Sequence, residues 1–554
     1  MKLSGAELII SLLERQGIDT IAGIPGGSNL PLYNALFNST KIRHILVRHE
    51  QAGGFIAQGM SRSTGKTAVC FATSGPGATN LITAVADARL DSIPMVAITG
   101  QVPSSFIGTD AFQEVDTYGM SLPVTKHNFL VRSAAELLSV IPEAFRIAES
   151  GRPGPVLVDV PKDVQNQIIE VESWPQTGKR ISFPAFDKES LEKAAQMIDK
   201  AERPVIYAGG GVMFAQGSKP LIELARKSNI PVTLTLNGLG LMPHDHPLFL
   251  GMLGMHGARY TNRILHESDL LISLGVRFDD RATGKLAQFC PNSRVIHIDI
   301  DKSEIGKLRK ADIGITADLA EALPALVKLV SSKNRDSWLS HVEKEKKSYP
   351  LGNQSKKDGM HPLDIIKEIA SAADDDAVIA TDVGQHQMWV AQGYPFRHPR
   401  TLLTSGGLGT MGFGLPTALG ASLANPSKQV ICFTGDGSLL MNIQELITMA
   451  EHDLNVKIML FNNGHLGLVR QQQELFYEKN YIAVRFPSNP DFMTIAKGFG
   501  VPGYGIHTVD DLLLTLPQVM SRKGPALVNI TIEHSHNVLP MVPPGAANLE
   551  MIGG

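Results

Sequence analysis

The chain is poor in cysteine, in tryptophan and in net charge, and each shortage excludes something. Its three cysteines, Cys70, Cys290 and Cys432, are scattered along 554 residues. Neither a disulfide framework nor a metal cluster is indicated, and a reducing compartment is expected. Lys and Arg number 51 against 54 Asp and Glu, a formal charge of -3, so there is no basic footprint for nucleic acid. No apolar run approaches the roughly 20 residues needed to span a bilayer. The first residues carry an amphipathic pattern (Ala6, Leu8, Ile9, Leu12, Leu13) rather than a basic leader with a cleavage site. These absences predict a cytoplasmic protein whose partners are small molecules, with no role on nucleic acid or membrane.

What the chain has is length, 43% hydrophobic residues and 52 glycines. It is too long for one core. Strand-like and helix-like segments alternate, as in doubly wound parallel sheets. Two polar stretches, Glu172 to Phe183 and Ser331 to Gly359, read as linkers, the second dense in lysine and serine with a cluster at Lys344 to Lys347. The expected fold class is therefore α/β, with three doubly wound parallel-sheet domains over residues 1–170, 190–332 and 360–554.

The most informative stretch runs from Gly435 to Asn463. An apolar strand, Gln429 to Thr434, leads into Gly435-Asp436-Gly437, apolar residues from Leu439 to Ala450 recur with helical spacing, and a second strand, Val456 to Phe461, delivers Asn462-Asn463. In an open α/β sheet the carboxyl ends of neighbouring strands share a crevice, so Asp436 and Asn463 can reach one ion. A carboxylate and an amide are hard oxygen ligands suited to Mg²⁺, which completes its shell with phosphate and water. Flanking glycines let the backbone approach phosphate. Either dipeptide alone is an ordinary turn; the pair at this spacing is not.

The segment resembles the diphosphate-binding motif of thiamin diphosphate enzymes, which opens with Gly-Asp-Gly and closes with Asn-Asn. The resemblance implies that Asp436, Asn463 and the backbone carbonyl of His465 hold the metal, with the His465 side chain incidental. Gly435, Gly437, Ser438 and Gly467 would then lie against the cofactor.

Glu50 gains meaning beside that motif. It lies where the strand Ile42 to Val47 gives way to a helix beginning near Gln51, a position that otherwise suits an ordinary first-turn charge. In the sequence RHEQ it matches the family's glutamate, which bonds the cofactor's aminopyrimidine and favours the tautomer that takes the C2 proton. The turn Ser74-Gly75-Pro76-Gly77 repeats the strand, glycine turn and helix pattern.

Most of the chain resembles the catalytic subunits of acetohydroxyacid synthase (acetolactate synthase), through GIPGGSNLPLY, RHEQAGGFIAQGMSR, GTDAFQEVD, GRPGPVLVDVPKDVQ, GMHG, GVRFDDRATGKL, DVGQHQMW, GTMGFGLP and PMVPPGAAN. Such enzymes decarboxylate pyruvate on thiamin diphosphate and transfer the two-carbon hydroxyethyl unit to a second 2-keto acid, pyruvate or 2-ketobutyrate. By motif match, Gly26 and Gly27 lie near the activated ring, and Phe112, Gln113 and Lys162 line the pocket. Lys162 also reads as a solvated helix-start lysine. Arg281 matches the residue thought to bind the acceptor's carboxylate, a task for which a guanidinium fork is suited; its plainer reading is an ion pair with Asp279 or Asp280. Gly384, Gln385 and His386 match the diphosphate-side loop, His386 being otherwise a core histidine. Gly409 and Met411 match the segment beneath the cofactor, where a methionine is ordinarily core packing. Many family members carry tryptophan at the position of Gln472. A methyl contact is worth about 1–3 kcal/mol, so glutamine there predicts a weaker preference for 2-ketobutyrate.

In the middle unit, strands at Pro204 to Ala208, Leu270 to Leu274 and Val295 to Ile300 carry Gly209-Gly210-Gly211 after the first and Asp299 after the last. Three glycines after a strand are weak evidence for a dinucleotide. The resemblance implies FAD, held by Gly209, Gly210, Gly211, Met255, His256, Gly257, Arg259, Asp279, Arg281 and Asp299, in a structural role because the reaction transfers no net electrons. It also implies a homodimer or homotetramer with sites between subunits and a separate small regulatory subunit.

Other readings stand beside this one. Gly407-x-Gly409-x-x-Gly412 satisfies the dinucleotide fingerprint, which admits a nicotinamide-dependent dehydrogenase. An inactive scaffold would have no use for Glu50, Asp436 and Asn463. A flavin-free catabolic acetolactate synthase, or a 2-keto acid decarboxylase, shares the thiamin motif. The proline- and glycine-rich tail from Pro540 is expected to be mobile.

Overall fold

Short apolar runs ending in glycine, asparagine or aspartate form the strands, and amphipathic or glycine-rich segments between them form the helices that cover both faces. In a computed structural model, residues 1–351 and 360–553 are described. They contain three six-stranded sheets in which every recorded strand pair is parallel.

The first sheet runs in the spatial order Arg43–Leu46, Thr20–Gly23, Ala68–Ala72, Met95–Gln101, Pro155–Pro161, His127–Leu130. The third runs Leu402–Leu403, Val378–Thr381, Val430–Gly435, Val456–Asn462, Ala526–Thr531, Gly503–Ile506. Numbered within each sheet, both orders are 2-1-3-4-6-5. The two end domains thus share one topology. The middle sheet, Phe249–Met252, Val232–Leu234, Pro204–Ala208, Leu270–Leu274, Arg294–Asp299, Ile313–Thr316, has the order 3-2-1-4-5-6 of dinucleotide-binding folds.

The end domains meet through equivalent helices, Glu50–Thr64 and Gly414–Ala424, each lying between the second and third strands of its sheet. Their backbones come so close that a Cβ on Gly59 would lie 2.1 Å from the Thr417 carbonyl oxygen, and one on Gly420 would lie 2.0 Å from that of Ile56. Phe55 and Phe413 pack edge to face beside this crossing at 5.3 Å.

Three expectations are corrected. The segment after Gly435 is not one helix: Asp436–Leu439 and Glu445–Glu451 are separated by a turn. Asn442 donates from Nδ2 to the Gly412 carbonyl and to Gln51 Oε1, and that tie holds the turn against the neighbouring elements. The lysine-rich stretch is not a linker throughout, because Asp336–Ser348 is a helix that buries Trp338, Val342 and Glu345, the last beside Arg263; residues 352–359 of that stretch lie outside the described residues. The tail is packed rather than free. Val538, Met541 and Val542 are buried, Val542 N bonds the Met255 carbonyl, and Met541 pairs with Ile552. Residues 172 to 183 carry no helix or strand, as expected of a connection. Among the described residues no helix is long and apolar enough to cross a membrane.

Candidate active site

Each sheet reverses its winding between its first strand and the neighbour that begins the other half, and ligand crevices open at such points. The Asp436 locus and the middle-domain glycines fall there, while Glu50 follows the edge strand Arg43–Leu46 and reaches the helix that follows Ala68–Ala72, at the reversal, through Asn80.

In the third domain the strands Val378–Thr381, Val430–Gly435 and Val456–Asn462 lie side by side, with Gly435 in register with Phe461. Their carboxyl ends feed three helices, Gln385–Gly393, Asp436–Leu439 and Gly467–Phe476. Asp436 is buried at the start of the second. Its Oδ1 accepts from Gly437 N at 2.9 Å, and its Oδ2 accepts from Gly464 N at 2.6 Å and Asn489 Nδ2 at 3.1 Å. Burial pushes the carboxyl above its usual range, opposed by those three donors. Asn463 Oδ1 accepts from His465 N, and the His465 ring bonds the Asn463 carbonyl and stacks on His534. Among the described residues no hydrogen bond reaches the His465 carbonyl oxygen, which leaves it free for an ion. One carboxylate, one amide and one carbonyl are the donor set expected for Mg²⁺ beside phosphate. No group of three or more His, Cys, Asp or Glu suited to a metal is found among the described residues.

Side chains crowd the glycines on the floor of this crevice. A Cβ on Gly467 would lie 2.1 Å from Gln385 Oε1, and one on Gly435 would lie 3.2 Å from His386 Nδ1. Gly384 has φ +153° and its Cβ would meet the same ring at 2.9 Å. Burial lowers His386 to about 3, so the ring is neutral, and its Nε2 is buried with no partner. Gln385 Nε2 donates to Gln471 Oε1 and the His536 carbonyl, and Ser438 Oγ donates to the Val383 carbonyl. Three helix N-termini, glycine turns and an unpartnered imidazole nitrogen fit a diphosphate.

In the first domain, helix Glu50–Thr64 begins beside the turn that opens helix Pro76–Asp91. Glu50 Oε2 accepts from Asn80 Nδ2 at 2.9 Å, and its Oε1 lies 3.4 Å from where a Cβ on Gly77 would be. Gly26 packs on Thr73, whose buried hydroxyl has no partner. Gly27 is exposed. Gln113, at φ +59°, lies over Gly75, while Phe112 is 89% exposed. Lys162 opens the short helix Lys162–Asn166, next to the Ser104 turn that Asp163 caps. No hydrogen bond or ion pair joins Glu50 to Asp436 or Asn463 among the described residues.

In the middle domain a cavity of about 870 Å³ opens at the ends of Pro204–Ala208 and Leu270–Leu274. Gly210, Gly211, Met255, His256, Asp279, Arg281 and Asp299 line it, together with Leu468, Gln472 and the loop Gly406 to Gly409 of the third domain. Gly209 and Gly211 are required by packing: a Cβ on either would strike Gly275 at 2.7 or 2.6 Å. Arg259 turns away from the cavity to hold the tail, donating to the Met551 and Gly553 carbonyls; Gly257, which packs on Leu253, does not line the cavity either. Arg281 is largely exposed, 3.7 Å from Asp280, whereas Asp279 caps the helix Asp280–Thr283. Burial raises Asp299 to about 7 and lowers His256 to about 4, and His256 Nδ1 and Thr235 Oγ1 are buried there without partners. A cavity of this size with a few unpartnered polar groups fits a large cofactor.

The dehydrogenase reading fails on topology. Gly407, Gly409 and Gly412 follow Leu402–Leu403, an edge strand, not the strand at the reversal, and Gly412 N is bound to Asp382 Oδ1.

Comparison with known proteins agrees. Residues 3–120, 191–326 and 382–530 match, in turn, the N-terminal TPP binding domain, the central domain and the C-terminal TPP binding domain of thiamine pyrophosphate enzymes. The chain is 56% identical over 552 residues to the acetolactate synthase isozyme 1 large subunit of Escherichia coli (strain K12), covering 100% of this chain and 98% of that one. It is 47% identical to the isozyme 2 large subunit of the same organism, covering 99% of both, and 44% identical to acetolactate synthase 1, chloroplastic, of Zea mays, covering 99% and 88%. The chain belongs to the acetolactate synthase large-subunit family.

In this family member several supporting residues escaped the sequence. Asp382 stands in the quoted DVGQHQMW, yet nothing in the sequence shows that it is buried and binds Gly412 N and Gly414 N, which fixes the segment bearing Met411. Burial raises its carboxyl to about 6. Asn489, Asn80 and Thr73 lie far in sequence from the groups they support. Only the polar character of ATSGPGATN was a signal for the last two.

Proposed function

We propose that this chain is the catalytic large subunit of an acetolactate synthase: it decarboxylates pyruvate and joins the two-carbon unit to a second 2-keto acid, giving 2-acetolactate or 2-aceto-2-hydroxybutyrate, the first common step of branched-chain amino acid biosynthesis. The observation that carries this is the convergence of Asp436, Asn463 and three helix N-termini at one strand reversal, in a chain similar to such subunits over its whole length. Thiamin diphosphate with Mg²⁺ supplies the electron sink for decarboxylation. Asp436, Asn463 and the His465 carbonyl would hold the ion, and Gly384, Gln385, His386, Gly435, Gly437, Ser438 and Gly467 the diphosphate. Glu50 would bond the aminopyrimidine. Gly26 and Gly27 would lie near the reactive ring, with Gly409 and Met411 beneath it. Phe112, Gln113 and Lys162 wall the substrate space, and the Arg281 fork takes the acceptor's carboxylate.

The middle-domain cavity supports a structural FAD, through its volume and the unpartnered His256 and Thr235 atoms. The partner is a small regulatory subunit, the assembly is a homodimer or homotetramer, and the compartment is the cytoplasm. The domains divide at 1–170, 190–332 and 360–554. The test is acetolactate formation from pyruvate with thiamin diphosphate and Mg²⁺ added or withheld, on protein whose visible spectrum has been recorded. Product only with both cofactors, and a bound flavin absorbance, is expected. Acetaldehyde as the sole product would sink the assignment.

A further inference from the structure

Asp159 lies inside a strand, Pro155–Pro161, flanked on both sides, and is 1% exposed. A carboxyl in such a place is costly unless donors meet it. Two do. Thr99, its neighbour across the parallel pair, donates from Oγ1 to Oδ1 at 2.7 Å, and Gln101 donates from Nε2 to Oδ2 at 3.0 Å. Burial raises the carboxyl to about 7, opposed by those two donors.

Gln101 is the connecting piece. Its Oε1 accepts from Val102 N at 2.9 Å, so the amide cannot turn over without losing that bond. Its Nε2 carries two hydrogens: one goes to Asp159, the other to the Val115 carbonyl at 2.9 Å. Val115 ends the segment that carries Phe112 and Gln113. The start of the same segment is closed by Glu114, whose carboxylate accepts from Thr109 N, Ala111 N and Gly108 N. Both Asp110 and Gln113 sit at φ +59°, a conformation that aspartate tolerates and that is uncommon for glutamine.

We propose that Asp159 is a positioning residue that acts through Gln101 to fix the exit of the segment bearing Phe112 and Gln113 and so orient it toward substrate. The geometry fits the task because Asp159 Oδ2 and the Val115 carbonyl both accept while Val102 N donates, which together hold the Gln101 amide with its NH₂ group toward Val115. The inference rests on the reading that this segment walls the substrate space.

The test compares Asp159→Val, Gln101→Leu, the double variant and Asp159→Asn in the holoenzyme. The first two break the link and are expected to lower kcat/KM for pyruvate by about 10- to 100-fold, with the double variant no worse than the weaker single. Asp159→Asn keeps an oxygen for Gln101 while the Thr99 hydroxyl turns to accept, so it should stay within about threefold of the parent. The thiamin diphosphate concentration giving half activity should not move. Gln101→Leu leaves the Asp159–Thr99 bond in place and carries the test if Asp159→Val does not fold. Amide hydrogen exchange over residues 108–117, faster in Gln101→Leu than in the parent, reads the same link without catalysis. A Gln101→Leu enzyme with parental kcat/KM and parental exchange would overturn the proposal, as would additive losses in the double variant. A parent chain that makes no acetolactate would instead sink the functional reading, and the exchange comparison would still decide the link.

Discussion

Gln472 faces the cavity one helical turn after Leu468, on the helix that begins at Gly467 against the diphosphate crevice. On the proposed function this helix runs from the diphosphate crevice to the substrate space, and the residue at this position would set how much apolar wall an acceptor meets. A glutamine offers an amide where an extra methyl would need carbon. Replacing it by tryptophan should raise the preference for 2-ketobutyrate over pyruvate by about 1–3 kcal/mol, a factor of about 5 to 150 in the product ratio. Competition between the two keto acids, read as the ratio of 2-aceto-2-hydroxybutyrate to acetolactate, checks it; an unchanged ratio would remove Gln472 from the specificity wall. Other residues were less legible than this one. Arg259 has the sequence setting of a cofactor ligand, yet it holds tail carbonyls that lie almost three hundred positions away in the chain. No local pattern encodes such a partner.

Elements were easier to read than their supports because a strand announces itself locally. The runs at Pro204–Ala208 and Leu270–Leu274 appear with the expected ends, and Val456–Asn462 extends its expected end by one residue. What failed was set by distant contacts: the turn at Asn442 answers to Gly412 and Gln51, and the helix Asp336–Ser348 exists because Trp338 and Val342 bury in the middle domain's core. The crossing of Glu50–Thr64 with Gly414–Ala424 also belongs to this class. Gly59 and Gly420 each lower helix propensity by about 1 kcal/mol relative to alanine, so isolated helices would favour the substitution. Here the obstacle is a backbone carbonyl, which cannot rotate aside. Gly59→Ala should destabilise by about 1–3 kcal/mol net of that gain and lower the thermal midpoint by several degrees. Gly498→Ala, at the end of helix Phe492–Gly498 with open space around its Cβ, is the control. Equal midpoints for the two variants would contradict the close crossing.

At the scale of the whole molecule, three domains are tied by one buried charge cluster. Arg62 pairs with Asp87 and Asp91 at 3.0 Å each and donates to the Thr404 carbonyl at 2.9 Å; Asp87 accepts from Ser405 and Thr410, and Asp91 from Gly406 N and Asn237. This cluster braces the loop that walls the cavity, so the middle and end domains hold a fixed relation within one chain. The thiamin locus is different. Among the described residues Glu50 is bonded to Asn80 and not to Asp436 or Asn463, and Phe112, Leu440 and Met441 have exposed side chains. A two-fold dimer would set Glu50 of one protomer against Asp436 of its partner, and vice versa. The prediction is complementation. Glu50→Gln and Asp436→Ala homodimers should each lose nearly all activity. When the two chains are unfolded together and refolded at equal amounts, half the dimers are mixed and each has one intact site, giving about one quarter of the parental activity. Recovery should appear only after subunits exchange, and mixing the two folded enzymes briefly should give none. A refolded mixture as inactive as its parents would place both residues in the site of a single chain.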